Sequence, residues 1–347
     1  MYEQFFGLRE RPFDLTSSPQ YLALTESHRG VLLNLERGME TQKGITLLVG
    51  EPGSGKSTLI RAAIACLPAS VHCLHLHNPA LTRSEFVELL AARFGLSDAA
   101  SRSRTTLLFE LQRMFFTRRS RGETTALVVD EAQSLSSELL EDIRLLANIE
   151  PNSEPRMRVV IAGRPELVDR LNGPGLHQFK QRITLRCEVR PLSAKETAAY
   201  VAGRIRTAGG AGGQVFTREA VAVICKHSRG FPRLINVIAD NALVGGFAAE
   251  QRPVGSDIVR EICGDFDTQA APAPATTDDH NGPLFGAFAA TPALSSQGED
   301  AGTVAQAVGP PAPSDTPKTE ALWQPDDREI QDIFFNTYFE KVWSGPQ

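Results

Sequence analysis

The sequence predicts an α/β fold: a parallel sheet carrying helices on both faces, then an all-α unit, then a disordered tail. Three observations predict it. Apolar runs at 45–49, 71–76, 126–129, 158–163 and 183–189 alternate with segments of helical spacing, as strands joined by crossover helices do. No strand-like run follows Ser193, where helical patterns take over. Residues 267–325 are rich in Ala, Pro, Thr, Ser, Gly and Asp, a composition unable to bury enough apolar surface to order itself.

Residues 1–26 read as a loop whose aromatics, Phe5, Phe6 and Phe13, plug a core edge or line a ligand pocket. Ser27 is expected to cap a helix through about Glu40, with Val31, Leu32, Leu35 and Met39 at helical spacing and Lys43-Gly44 ending it. The run at 45–49 is the first strand. Directly after it, Gly50-Glu51-Pro52-Gly53-Ser54-Gly55-Lys56-Ser57-Thr58 fits G-x-x-x-x-G-K-[ST], a nucleotide phosphate-binding loop, and residues 59–67 form the helix such a loop opens. Glycines let successive N–H groups face one anion, and the helix N-terminus adds its dipole. Lys56 is expected to reach the β and γ phosphates of ATP, and Ser57 to hold Mg²⁺. In that context the aromatics of the opening segment are placed to form an adenine pocket.

The second strand, 71–76, carries His72 and His75, with His77 just beyond. They are read as not sharing one strand face, with no carboxylate nearby in sequence, so surface or core-edge positions are expected. Helices follow at about 83–94 and 104–117. Arg113 and the cluster Arg118-Arg119-Ser120-Arg121 read as a solvated face rather than a nucleic-acid contact, because no groove-reading motif accompanies them. The third strand ends in Asp130-Glu131. Asp130 is expected in the Mg²⁺ shell, and Glu131 to orient and deprotonate the attacking water. Ser136 or Ser137 opens the next helix; Pro151 and Pro155 mark a break before the fourth strand, 158–163. Arg164-Pro165 begins a short helix, and 183–189 is the fifth strand. Ser193 and Glu196 form a capping box before helices at 194–208, 217–228, 231–249 and 255–263, with Gly209-Gly210-Ala211-Gly212-Gly213 as a flexible joint. The aromatic stretch at 326–347 reads as a short helix.

The 347 residues suggest about two domains plus extras, and 41% hydrophobic content supports a real core. The net charge of −5 is uneven: residues 264–347 hold 13 acidic and 3 basic side chains, the rest 28 and 33. A mildly basic body with an acidic tail suits an anionic ligand without specifying nucleic acid. Cys66, Cys73, Cys187, Cys225 and Cys263 are scattered, as reduced thiols in a cytoplasmic protein are. The N-terminus lacks a signal-peptide pattern, and no run approaches the roughly 18 apolar residues of a membrane helix.

Residues 1–263 resemble the AAA+ ATPases of the general secretion pathway protein A (ExeA-like) family. The likeness rests on the ordered series Phe5-Phe6-Gly7-Leu8, Pro12-Phe13, Ser27-His28-Arg29, the phosphate loop, Val129-Asp130-Glu131-Ala132-Gln133, Ala162-Gly163-Arg164-Pro165-Glu166-Leu167, Gln181-Arg182-Ile183 and Gly230-Phe231-Pro232-Arg233-Leu234-Ile235-Asn236. The resemblance implies a three-layer P-loop AAA+ domain over 1–191 and a helical lid over 192–263, with ATP between them. An acidic linker at 264–325 and an aromatic helix at 326–347 would follow. It implies Arg233 as the lid arginine at the γ phosphate and Arg182 as a finger offered to a neighbouring subunit. Arg164 departs from the family pattern, which usually has glutamine there. The membrane helix and periplasmic domain that often follow in the family are not expected in this chain.

Function is expected to be that of an oligomeric, cytoplasmic ATPase, peripheral at the inner membrane, energising or regulating an envelope machine of the type II secretion or pilus kind. A transposition-helper ATPase on DNA and a nucleotide-dependent scaffold are the alternatives; DNA is not favoured, and Glu131 argues against a scaffold. A protein partner is expected through the tail. Burying two of Phe334, Phe335, Tyr338, Phe339 and Trp343 would contribute roughly 1.5–3 kcal/mol each, and a linker of about 60 residues reaches roughly 40 Å. Residues 326–343 should therefore dock on a partner or neighbouring subunit. Deleting 268–347 should leave ATP binding intact and impair assembly; uniformly fast hydrogen exchange over 326–343, with and without ATP and partner, would refute docking.

Overall fold

A computed structural model of the chain describes residues 1–14, 25–40, 44–77, 80–147 and 157–269. The readings at Lys43, Pro151, Pro155 and the tail from 270 onward lie outside these residues. In chain order the elements are α1 (Tyr2–Phe6), α2 (Glu26–Glu40), β1 (Ile45–Gly50), α3 (Lys56–Cys66), β2 (Val71–Leu76), α4 (Arg83–Phe94), α5 (Asp98–Arg102), α6 (Arg104–Ser120), β3 (Thr124–Val129), α7 (Ser137–Ala147), β4 (Met157–Gly163), α8 (Pro165–Asn172), α9 (His177–Lys180) and β5 (Ile183–Val189). The helical set follows: α10 (Ala194–Thr207), α11 (Gly212–Val215), α12 (Arg218–Ser228), α13 (Pro232–Ala248) and α14 (Ser256–Gln269).

The five strands form one parallel sheet in the order β2-β3-β4-β1-β5. Strand alternation sends successive side chains to opposite faces. Leu47, Val49, Leu127, Val129, Val159 and Ile161 enter a core with α4, α6 and α7. Leu48, Ala126, Val128, Val160 and Ala162 enter another with α2 and α3. Both faces are covered, so the central strands read as continuous apolar runs, and the predicted three-layer fold is borne out. Asp142 of α7 ties that layer together, accepting from Arg83 and from Arg104, the latter at 2.6 Å.

A third core belongs to the helical set, and here two expectations are corrected. The opening segment is not simply a loop. It contains α1, and Tyr2, Phe6, Leu8 and Phe13 are buried in the helical core, Phe13 edge-on to Phe216 at 6.2 Å between centroids. Phe6 and Phe13 plug that core, with Phe5 packed against it. Arg204 pulls the segment in by donating to the carbonyls of Pro12 (2.6 Å) and Asp14 (3.1 Å). Nor is 209–213 a flexible joint: a Cβ at Gly210 would lie 2.5 Å from Leu8, the Gly210 N–H bonds Ile205, and α11 starts at Gly212. Gly209 and Gly210 serve close packing.

Smaller differences are local. Helix α2 begins at Glu26, with Thr25 in the capping position: its hydroxyl accepts from the His28 N–H (3.4 Å) and its carbonyl from Arg29 (3.0 Å). Ser27 instead donates to Glu196 at 2.7 Å. Helix α14 runs on to Gln269, past its expected end at 263. Arg118 is drawn out of the expected solvated cluster, donating to Thr125 at 2.9 Å and lying 5.9 Å over the Phe94 ring.

The capping box at Ser193 and Glu196 forms as expected and also ties the helical set to α2. Burial pushes the Glu196 carboxyl up, but hydrogen bonds from Ser193 and Ser27 outweigh it and bring the pKa down to about 2 from an ordinary 4.5. A depressed carboxyl stabilises the fold above its unfolded pKa and loses that contribution as pH falls through the folded value. Glu196→Gln should therefore melt below wild type at neutral pH, the gap closing from about pH 4.5 down to about pH 2. An equal gap at pH 7 and at the acid end would refute the assignment.

Candidate functional site

In parallel sheets ligands collect at the carboxyl ends of the strands, and here three ends meet. The register sets Val49 of β1 against Gly163 of β4, and Val129 of β3 against Ile161. Gly50, Asp130 and Arg164 thus leave the sheet at one edge. The loop from Gly50 to Lys56 turns through left-handed conformations at Gly53 (φ 81°) and Gly55 (φ 99°). Lys56 opens α3, is buried, and donates Nζ to the carbonyls of Gly50 (2.7 Å) and Glu51 (3.0 Å). Burial lowers its pKa, opposed by Glu131 and Asp130. Ser57 Oγ donates to the fully buried Asp130 at 2.5 Å, across 73 residues of sequence.

Glu131 sits beside Asp130 with φ 55°, rare for a residue with a side chain. Its carboxylate accepts from Gln133 Nε2 at 2.5 Å and lies 3.7 Å from Arg164 Nε. Arg164, the departure noted in the sequence, points at Glu131. Gln133 also accepts from the Arg164 N–H at 3.1 Å. A Cβ at Gly163 would meet Gln133 at 2.8 Å and Leu167 at 2.7 Å, so only glycine lets this turn close.

From the helical set, Arg233 in the first turn of α13 comes to the loop: its N–H donates to the Gly53 carbonyl at 3.3 Å, and its Cβ lies 3.0 Å from where a Gly53 Cβ would be. Gly230 (φ 75°) seats that turn, since a Cβ there would fall 2.0 Å from the Leu192 carbonyl. Arg182 is not brought to this edge. Its carbonyl accepts from Ile45 at the opposite end of β1, about 16 Å of strand away.

The residues fit a nucleotide with its metal. Ser54 Oγ is buried with no hydrogen-bond partner, and a Cβ at Gly55 would meet nothing within 4 Å, leaving open space over the loop. The donor set of hydroxyl and carboxylate is that of a hard cation.

Two features escaped the sequence reading. Arg170 of α8 donates to the carbonyls of Gln133 (2.6 Å) and Leu135 (2.8 Å), clamping the turn after Glu131; its only trace in sequence was a helical position. The histidines hold the expected surface and core-edge positions, but a carboxylate reaches them from elsewhere in the chain. His72 pairs with Glu123 at 2.9 Å, while His77, just past the end of β2, brings Nδ1 to 3.3 Å from Asp130 Oδ2. The carboxylate comes from the neighbouring strand, which sequence distance hid.

This fold and this edge define a P-loop protein of the AAA+ ATPase class. The model of a family described as "AAA domain" matches residues 39–171. General secretion pathway protein A of Aeromonas hydrophila is 38% identical over 252 residues, covering 72% of this chain and 45% of that protein, so the chain spans less than half its relative's length. Among solved structures, the Aeropyrum pernix ORC2 protein in its ADPNP–ADP complexes superposes with a TM-score of 0.57 at 13% identity, covering 76% of this chain and 75% of that one. Cdc6p from Pyrobaculum aerophilum gives 0.56 at 15%, covering 73% and 70%. Both likenesses speak to the fold alone. The chain belongs to the ExeA-like AAA+ ATPase family. Among the described residues no helix is long and apolar enough to cross a membrane.

Hydrogen bonds from a charged donor contribute about 1.5–3 kcal/mol each. Arg170→Ala should thus destabilise the protein by a few kcal/mol, with Arg170→Lys less affected. An unchanged denaturant midpoint in Arg170→Ala would show that the clamp is not needed.

Proposed function

We propose that the chain binds ATP with Mg²⁺ and hydrolyses it as an oligomer that energises or regulates assembly of a bacterial envelope machine of the type II secretion or pilus kind. The observation that carries the nucleotide half is the Ser57–Asp130 hydrogen bond at 2.5 Å, a hydroxyl and a buried carboxylate paired beside a glycine loop and a buried lysine. The envelope half rests on the likeness to general secretion pathway protein A.

When bound, Mg²⁺–ATP supplies the anhydride bond to be broken and a metal charge beside its phosphates. Backbone N–H groups of the loop from Gly53 to Thr58 would cradle the phosphates. Lys56, now on the carbonyls of Gly50 and Glu51, would offer its ammonium to the phosphates. Ser57 and Asp130 would hold the metal. Glu131 orients the attacking water and accepts its proton, and to do so it must release the Gln133 amide and Arg164. Arg233 brings a guanidinium from the helical lid, where charge spreads over the γ oxygens. Arg182, at the far end of β1, serves a neighbouring subunit's site rather than its own. The protein works at the cytoplasmic side of the inner membrane, its tail recruiting the partner.

Lys56→Ala should abolish tight ATP binding, whereas Glu131→Gln should bind ATP and hydrolyse it slowly; equal affinity in the first, or full turnover in the second, removes that residue from its role. Arg182→Ala should bind ATP but turn over slowly, and mixing it with Lys56→Ala should restore part of the activity. Turnover independent of protein concentration, with no rescue on mixing, would refute action in trans.

A further inference from the structure

We propose that His75, His77 and Asp130 form a binding site for a divalent transition metal of the Zn²⁺ class, and that an ion there inhibits the ATPase by taking Asp130 from Ser57. The metal-binding half rests on the cluster alone; the inhibitory half rests on the nucleotide reading above.

The cluster is built by the edge of the sheet. His75 pairs in register with Val128 and Leu76 with Val129, and the Asp130 N–H donates to the Leu76 carbonyl at 2.9 Å. Asp130 therefore leaves β3 level with the end of β2, beside the imidazoles of His75 at that end and His77 just past it. The rings stand 6.0 Å apart at 71°. One ligand atom from each of the three residues lies within 4.8 Å of the others. Zinc at about 2.0–2.2 Å from each ligand asks for ligand spacings of about 3.3 Å. His77 Nδ1 already stands 3.3 Å from Asp130 Oδ2, so the distance left to close is the one to His75, which is half-buried.

A second observation points the same way. His75 Nε2 is buried with no hydrogen-bond partner. Buried polar atoms are normally paired, and an unpaired one calls for an explanation. The chemistry also discriminates. Two imidazoles with one carboxylate suit Zn²⁺ and its neighbours in the transition series, whereas Mg²⁺ prefers an all-oxygen shell. Three protein ligands leave a fourth position open. Because Asp130 Oδ2 is both the atom nearest His77 and the acceptor of the Ser57 hydroxyl, the two metals compete for one carboxylate.

The first test uses the full chain without nucleotide, titrating Zn²⁺ against a chromogenic chelator. Wild type should bind one ion that His75→Asn/His77→Asn loses. His77→Asn alone, at an exposed position, should weaken binding by more than the ~10–100-fold typical of outer-shell changes. Co²⁺ substituted at the site should lack intense thiolate charge-transfer absorption, which separates it from a site at the exposed Cys66. Equal Zn²⁺ stoichiometry and affinity in wild type and His77→Asn, or a dominant thiolate band, would overturn the site. The second test measures ATP hydrolysis in excess Mg²⁺. Zn²⁺ should inhibit wild type at concentrations at least about tenfold lower than His77→Asn. Zn²⁺ bound at the cluster without inhibition would overturn the competition. A wild-type protein that hydrolyses no ATP under any condition would overturn the nucleotide reading and leave the metal site to stand or fall by the first test.

Discussion

The contact around which this molecule is organised is the hydrogen bond from Ser57 to Asp130. A fully buried carboxylate is tolerable only when its oxygens are paired. Asp130 is paired by the Ser57 hydroxyl, by the Glu131 N–H at 2.9 Å and by the approach of His77. Those partners lie just past the ends of β1, β3 and β2, in the first turn of α3, after β3 and after β2, so they converge only if the strands end at one level. That is what β4 enforces by lying between β1 and β3 and pairing with each in parallel register. The apolar residues on both faces hold the sheet, but it is the carboxylate that makes a slip of register costly.

Much of this was legible in the sequence because its causes are local. A phosphate loop is a run of consecutive residues with fixed backbone demands, and strands buried on both faces announce themselves as apolar runs. The capping box at Ser193 and Glu196 is likewise a four-residue event. What escaped the reading depends on residues distant in sequence. Phe6 and Phe13 are apolar wherever they lie, and only the packing shows that they belong to the core of helices two hundred residues later. His75 and His77 gain a carboxylate from the next strand. Arg118 and Arg170 look like surface charges until a Phe94 ring and a pair of backbone carbonyls claim them.

Glu131 shows how the edge stores a constrained geometry. A left-handed backbone at a residue with a side chain persists only where its surroundings over-determine it. Here Gln133 grips the carboxylate, Arg164 stands beside it, and Arg170 pins the carbonyl of Gln133 itself. Gly163 leaves the room this needs. An arginine at position 164 therefore acts on Glu131 directly, where an uncharged side chain would offer only a dipole. The proposed base is held by a cation and an amide, and its release is a step that this chain's own residues control.

The join between the layers and the helical set carries the argument further. The helical core is separate from the two cores of the sheet. Among the described residues, hydrogen bonds that cross between them are polar or backbone: the Arg233 N–H to the Gly53 carbonyl and Ser27 to Glu196. Polar joins of this kind permit relative motion of the parts they connect, since no large apolar surface must be exposed to move them. One of the crossings falls on the phosphate loop itself, at Gly53. A ligand that fills the loop and draws Arg233 toward it therefore changes the balance at the join, while the interiors on either side stay packed. In this chain the position of the helical set is coupled to the loop by a single turn of α13, and Gly230, which no larger residue can replace without moving Leu192, decides where that turn sits.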